Sequence, residues 1–240
     1  MKIRFLGIGC WLLAAVSFGT PVGAETPEYT GHRVCTKCHF AQGDAWRKTP
    51  HAKAFESLKP NAKAPAKTKA GLDPSKDYSG DKECVGCHVT GHGEAGGYGP
   101  GLNADDAKLL VGVSCEACHG AGGSYRKKHG EAIDRLKSSG ATTDRQVLVE
   151  AKQNFDYENA CARCHLNYAV SNWTGAKPPY TPFTPAIDPK YQFDFNKAVR
   201  VVGDRNPAHT HYKMRGVFKG GTVPAIRAEI QQNAPEEPEE

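Results

Sequence analysis

Cys35-Thr36-Lys37-Cys38-His39 sets two thiols three residues apart with an imidazole directly after the second. The same C-x-x-C-H spacing returns at Cys84–His88, Cys115–His119 and Cys161–His165. Two thiols so spaced can form thioether bonds to the two vinyl groups of one haem, while the adjoining imidazole lies under its iron. Zinc also takes Cys and His at short spacing, and a dithiol can be redox-active. Structural zinc sites, however, pair two Cys-x-x-Cys units or add spaced histidines, and have no need of a His after every second Cys. Four copies without exception imply four covalently bound haem c groups. Their thioethers would come from Cys35, Cys38, Cys84, Cys87, Cys115, Cys118, Cys161 and Cys164, and their proximal ligands would be His39, His88, His119 and His165.

A low-spin electron-transfer haem needs a second axial ligand, usually His or Met. Met214 is the only methionine after the initiator, so histidine must supply most of these positions. The candidates are His32, His51, His92, His129, His209 and His211. His51, His129 and His209 are the favoured ligands and His211 is the rival to His209. His32 and His92 read as residues near haem edges or propionates.

The elements that must hold these groups are short helices and long loops. Thr49-Pro50 reads as a cap and first helical residue of a helix through Leu58 that carries His51. Asn61 to Ala70 is an exposed helix or loop, Asp81 to His88 a short helix, and Gly91 to Gly101 a loop beside the second haem. Asp105 to Leu110 is a helical turn. Ser124 to Ser138 is a helix bearing His129, with Gly140 as its stop. Thr142 or Thr143 caps a further helix to about Asn154, and Glu158 to His165 presents the last pentapeptide. Tyr191, Phe193 and Phe195 alternate as in a short strand, and Asn196 to Val202 returns to helical spacing. The expected fold is mainly α with little or no sheet, its core largely haem, because the apolar content is modest for this length.

Met1 to Ala24 has a basic start at Lys2 and Arg4, an apolar run from Phe5 to Phe18 and small residues at Val22-Gly23-Ala24, the pattern of a secretory signal cleaved after Ala24. Cys10 leaves with it, and every remaining cysteine belongs to a pentapeptide. Export of eight spaced thiols points to a periplasmic protein with domains 1–24 (signal), 25–230 (tetrahaem domain) and 231–240 (acidic, disordered tail). The chain carries +5; without Lys2 and Arg4 it carries +3, and without the four tail glutamates the body is at +7. Such a body would steer toward an acidic redox partner. A nucleic-acid partner is not expected outside the cytoplasm.

Longer stretches carry a resemblance. Thr49-Pro50-His51-Ala52-Lys53-Ala54, Glu56-Ser57-Leu58-Lys59-Pro60, Leu72-Asp73-Pro74-Ser75-Lys76-Asp77-Tyr78, Gly112-Val113-Ser114-Cys115-Glu116-Ala117-Cys118-His119-Gly120, Cys164-His165-Leu166-Asn167-Tyr168 and Pro179-Tyr180-Thr181-Pro182-Phe183-Thr184-Pro185 resemble the tetrahaem cytochrome c-554 family. In ammonia-oxidising bacteria that family accepts electrons from hydroxylamine oxidoreductase. The resemblance covers nearly all of the chain after the signal. It implies a mainly helical fold with haems in stacked and perpendicular pairs. It further implies His39 with His129 on the first haem, His119 with His51 on the third and His165 with His209 on the fourth. The second haem, under His88, would be open on its far side, lined by Thr181-Pro182-Phe183. His92 departs from the aromatic expected in the glycine loop and is a candidate to close that iron or give it a proton.

The resulting expectation is an electron carrier rather than an enzyme. It would take electrons from a hydroxylamine oxidoreductase-like donor and pass them to a downstream cytochrome or a membrane quinone-reducing cytochrome. The alternative is reduction of nitric oxide, or another small nitrogen oxide, at the second haem, in a pocket of Thr181, Phe183 and His92.

Overall fold

The computed structural model describes residues 28–165, 185, 188–200, 211–221 and 225–238. The signal stretch, Thr181, Phe183 and His209 lie outside them. The described chain is mainly α, as the sequence implies.

Four short helices present the four pentapeptides. Helix α1 (His32–Thr36) contains Cys35 and is followed, after His39, by α2 (Phe40–Arg47). Helix α3 (Ala64–Lys69) precedes α4 (Lys82–Val85), which Asp81 caps by accepting from Glu83 N. Helix α5 (Ala104–Leu110) starts at Asn103, whose side chain accepts from Asp105 N and Asp106 N. Helix α6 (Cys115–His119) is the third pentapeptide itself. Helix α9 (Tyr157–Ala162), capped by Asp156, leads into the fourth. One helical turn in each case brings both thiols to one side, since residues three apart share a helix face. His39 N and His165 N close that turn on Cys35 O and Cys161 O at 3.0 and 2.9 Å, and His88 N closes it on Val85 O at 2.9 Å.

The long helix α7 (Gly122–Ser139) carries His129 and stops as expected at Gly140, whose φ of 68° lets its N–H return to Leu136 O. Two expected elements are replaced. Residues 142–154 do not form one helix: Thr143–Asp144 is a two-residue strand, β1, paired in parallel with Phe218–Lys219, β2, and only α8 (Gln146–Glu150) is helical. Arg145 enforces this by donating from Nη2 to Phe218 O at 3.2 Å and from Nη1 to Gly220 O. Nor do Tyr191, Phe193 and Phe195 form a strand. Asp188 accepts from Lys190 N and starts a 3-10 turn (Pro189–Tyr191), while Asp194 accepts from Lys197 N at the head of α10 (Phe195–Arg200). Two aspartate caps outweigh three alternating aromatics.

The stretch after Thr49 also departs from expectation. Thr49 is a cap, accepting from Ala52 N at 3.3 Å, but it heads a run of turns that ends in a 3-10 turn, Phe55–Leu58, in place of an α-helix. The carbonyls an α-helix would use are taken elsewhere. His51 O accepts from Val113 N at 3.0 Å, and Ala54 O lies 2.7 Å from His88 Nδ1.

Eleven apolar residues are buried among those described, few for a chain of this length. Leu58, Tyr78, Val85 and Val89 form their main cluster, with Phe55, Leu72, Cys84 and Tyr98 packed against it. The Gly91–Gly101 loop folds tightly enough that a Cβ on Gly97 would meet Gly91 O at 1.9 Å, and one on Gly91 would strike the Tyr29 ring at 2.6 Å. The expected acidic tail begins inside helix α11 (Ala225–Asn233), and its described part is held down. Gln231 bonds to Met214 N and Tyr212 O, Pro235 O accepts from Lys213 N, and Glu236 and Glu237 pair with Lys213 and Arg215. No described helix is long and apolar enough to cross a membrane.

Candidate functional site

The four pentapeptides are brought into one neighbourhood. Cys35 and Cys115 hydrogen-bond to each other, as do Cys87 and Cys164. The first pentapeptide therefore abuts the third, and the second abuts the fourth. Helix α6 also packs on α1 and α9. All eight thiols are free. Burial pushes Cys118 up to about 12 and Cys161 up to about 11, whereas the hydrogen bonds from Cys35 and Cys164 lower Cys115 and Cys87. Among the described residues no cluster of three or more His, Cys, Asp or Glu has the arrangement of a metal-ion cage.

Imidazoles face one another in pairs instead. His39 and His129 lie 6.5 Å apart between ring centres at an interplanar angle of 70°, and His51 and His165 lie 5.9 Å apart at 68°. Two imidazoles sharing one metal need about 6 Å, from a metal–nitrogen bond of about 2 Å on each side and the radius of each ring. Both separations are of that order. The first pair is the one the resemblance puts on the first haem, and the second sets His51, which the resemblance puts with His119, beside His165. His51 belongs to the irregular run after Thr49, where His51 O accepts from Val113 N and Ala54 O lies against His88 Nδ1.

Burial keeps these rings neutral, the ligating form. It lowers His39, His88, His129 and His165, and takes His51 and His119 to about 4. His119 Nδ1 is shielded and has no hydrogen-bond partner among the described residues, and its ring meets Tyr157 edge-on at 5.3 Å. After burial, Arg227 is the next influence lowering His119, and it also lowers His211.

His88 is held differently. Its Nδ1 lies 2.7 Å from Ala54 O and 3.1 Å from Ser57 Oγ, which leaves Nε2 for iron. Among the described residues no second imidazole pairs with it as His129 and His51 pair with their partners. His92 lies against Gly86, where an added Cβ would touch its ring at 3.4 Å, and its Nδ1 is 3.3 Å from Tyr98 O. His32 Nδ1 meets Leu109 O at 2.9 Å and its ring lies 5.0 Å from Trp46, so it serves the scaffold.

Several contributors carry no sequence signal. Glu116, inside the third pentapeptide, is 1 % exposed and accepts from Thr30 N, Thr30 Oγ1, Gly31 N and Gly122 N. Thr90 is fully buried; its Oγ1 donates to Gly112 O and accepts from Ser114 N, tying the second pentapeptide to the third. Gln153 Oε1 meets His129 Nε2 at 3.2 Å. Tyr29 Oη and Arg163 both donate to Glu94, joining the glycine loop to the fourth pentapeptide.

Three comparisons place the chain among known proteins. The family pattern described as cytochrome c554 and c-prime matches residues 34–120. A curated relative, cytochrome c-554 of Nitrosomonas europaea, is 46% identical over 238 residues, 98% of this chain and 97% of its own. The solved structure of cytochrome c554 from Nitrosomonas europaea in its reduced state superposes with a TM-score of 0.80 at 46% identity, covering 88% of this chain and 99% of that one. Near-complete alignment with this relative and this structure leads to one conclusion, which also implies covalent c-type haem on the Cys-x-x-Cys-His units: this chain belongs to the cytochrome c554 family, cytochromes that carry electrons.

Proposed function

We propose that the chain binds four haem c groups and works in the periplasm. It would take electrons from a hydroxylamine oxidoreductase-like donor and deliver them to a downstream cytochrome or a membrane quinone-reducing cytochrome. Haem supplies a one-electron couple tuned by axial ligands, burial and nearby charge. The chain's own part would be to hold His39 with His129, His119 with His51 and His165 with His209 as axial pairs, with His211 the rival to His209, and to keep the pentapeptides in contact. His88 alone would have no protein partner opposite. The observation that carries this reading is the approach of the His39 and His129 rings to 6.5 Å beside abutting thiols, Cys35 with Cys115 and Cys87 with Cys164. Adjacent pentapeptides give an electron a short path through the protein, and no chemical group need be consumed on the way.

The test joins haem counting to electron paramagnetic resonance of the oxidised protein. Four covalent haems, three low-spin and one high-spin, are expected; four low-spin haems would refute the open second site. His129→Ala should add one high-spin haem while covalent content stays at four, because attachment uses only the cysteines. Stopped-flow reduction by hydroxylamine oxidoreductase should slow with salt as the basic body is screened. A rate indifferent to the donor's presence would remove that partner.

A second reading rests on His88 having no paired imidazole among the described residues: nitric oxide, or a similar small nitrogen oxide, would bind at the second haem. Phe183→Trp should then impair nitric oxide turnover while donor-driven reduction continues. Loss of both, with haem content intact, would favour an enzyme over a carrier.

A further inference from the structure

Lys67, in α3, is 4 % exposed. Its Nζ donates to Lys59 O at 2.7 Å and stands 5.3 Å from the centre of the Tyr78 ring. Tyr78 belongs to the apolar cluster of Leu58, Val85 and Val89, against which Cys84 of the second pentapeptide packs. Of the neighbouring charges, Lys59 lies over Phe55 at 4.9 Å, and Lys76 lies over Tyr78 at 4.7 Å while pairing with Asp81 at 3.5 Å. The Asp77 carboxylate is held by Ser79 and feels the charges of Lys59 and Lys67 without bonding to Lys67. Among the described ion pairs, none includes Lys67.

An ammonium taken out of water without a carboxylate is a costly arrangement, seldom kept without a use. A single short stretch fixes both this charge and the second proximal ligand: Ala54 O and Ser57 Oγ meet His88 Nδ1, and Lys59 O receives Lys67 Nζ. Imidazole and ammonium are thereby held in a constant relation on one wall.

We propose that Lys67 is the fixed charge that raises the reduction potential of the second haem, making it a favoured resting place for an electron. This rests on the reading that Cys84, Cys87 and His88 hold a haem. When one electron arrives from the donor, iron passes from ferric to ferrous. No bond or proton moves, and the site gains one negative charge. A buried cation stabilises that added charge far more than an exposed one would, because little water screens it.

The experiment is a spectroelectrochemical titration of the haem-loaded protein, following the high-spin haem separately from the low-spin set. In Lys67→Met the reduced-to-oxidised ratio of that haem at a fixed electrode potential should fall about tenfold, equivalent to about 59 mV for a one-electron couple. The low-spin haems should stay within about twofold, and Lys67→Arg should retain the wild-type value. A residue that only packs would lower the melting temperature in Lys67→Met and leave every potential in place, which would overturn the proposal. Should Lys67→Met fail to load four haems, the wild type still decides. Between about 0.05 and 0.5 M salt a buried charge keeps its effect while exposed lysines lose theirs. A reduced-to-oxidised ratio at the second haem that falls about tenfold over that range would assign the charge to the surface and refute Lys67. Failure of the underlying haem reading would look different: fewer than four covalent haems, or no high-spin signal, in the wild type itself.

Discussion

His88 and His129 have opposite ring nitrogens engaged by the protein. At His88 the carbonyl of Ala54 and the hydroxyl of Ser57 meet Nδ1, which leaves Nε2. At His129 the amide oxygen of Gln153 meets Nε2, which leaves Nδ1. The settings differ accordingly. His88 ends a turn braced by the 3-10 turn, whereas His129 stands within α7 between Tyr125 and Phe218, at 6.0 and 5.2 Å between ring centres. The contrast separates two choices that a histidine in a sequence merges. Residue type decides that an imidazole is present, and the partner of the second nitrogen decides which atom binds and how strongly it donates.

The strongest way to break this picture is to remove His51. His51→Ala should turn one haem high-spin, and it should be the one under His119. Phe193 stacks on His165 at 4.2 Å and 20°, so its ring proton resonances should stay in place in the variant. A new high-spin haem with shifted and broadened Phe193 signals would move His51 to the fourth iron. Acid should act next. His51 lies at about 4 in the folded protein against 6.5 when free, so the unfolded chain binds the extra proton between those values. Stability should therefore be full above pH 6.5 and fall as pH drops toward about 4, a trend that iron ligation deepens. Denaturant midpoints measured across that window in wild type and His51→Ala should show a shallower slope in the variant; equal slopes would refute it.

Finer changes sharpen the comparison between the two nitrogens. Gln153→Leu removes the acceptor behind His129, weakens its donation to iron and should raise the potential of the His39–His129 haem by about 1 kcal/mol, roughly a fivefold change in the ratio of reduced to oxidised. An unchanged potential would mean that Gln153 only packs. Ser57→Ala should do less at His88, about 0.5 kcal/mol in the potential of the high-spin haem, because the Ala54 carbonyl remains. A larger shift than that of Gln153→Leu would reverse the order of importance.

The pentapeptides, α7 and its glycine stop were legible in sequence because each is fixed by neighbours within a few residues. The approach of His129 to His39 was not legible from spacing, because α7 and the first pentapeptide are distant in sequence. The setting of His51 was hidden likewise, since its run is fixed by Val113 and His88. The strand at Thr143–Asp144 was hidden for the same reason, since its register is set by Phe218 and Lys219. Lys67 looked like one lysine in a solvated run; only the fold of Lys59 and Tyr78 around it makes it an interior charge. Glu116 gave no sign at all, because a glutamate between two cysteines has no pattern that foretells its burial.

Glu116 bears on the order of assembly. Its carboxylate closes on Thr30 and Gly31, separated from it by 86 and 85 residues, yet it sits between two thiols that must stay reachable until haem is attached. The early segment thus waits, unsatisfied, for a later one that cannot close before its own modification. Enclosure of this carboxylate should be among the last folding events, and the amides of Thr30 and Gly31 should resist hydrogen exchange only once Cys115 and Cys118 carry their haem. Comparable protection in haem-free chain would place the closure earlier.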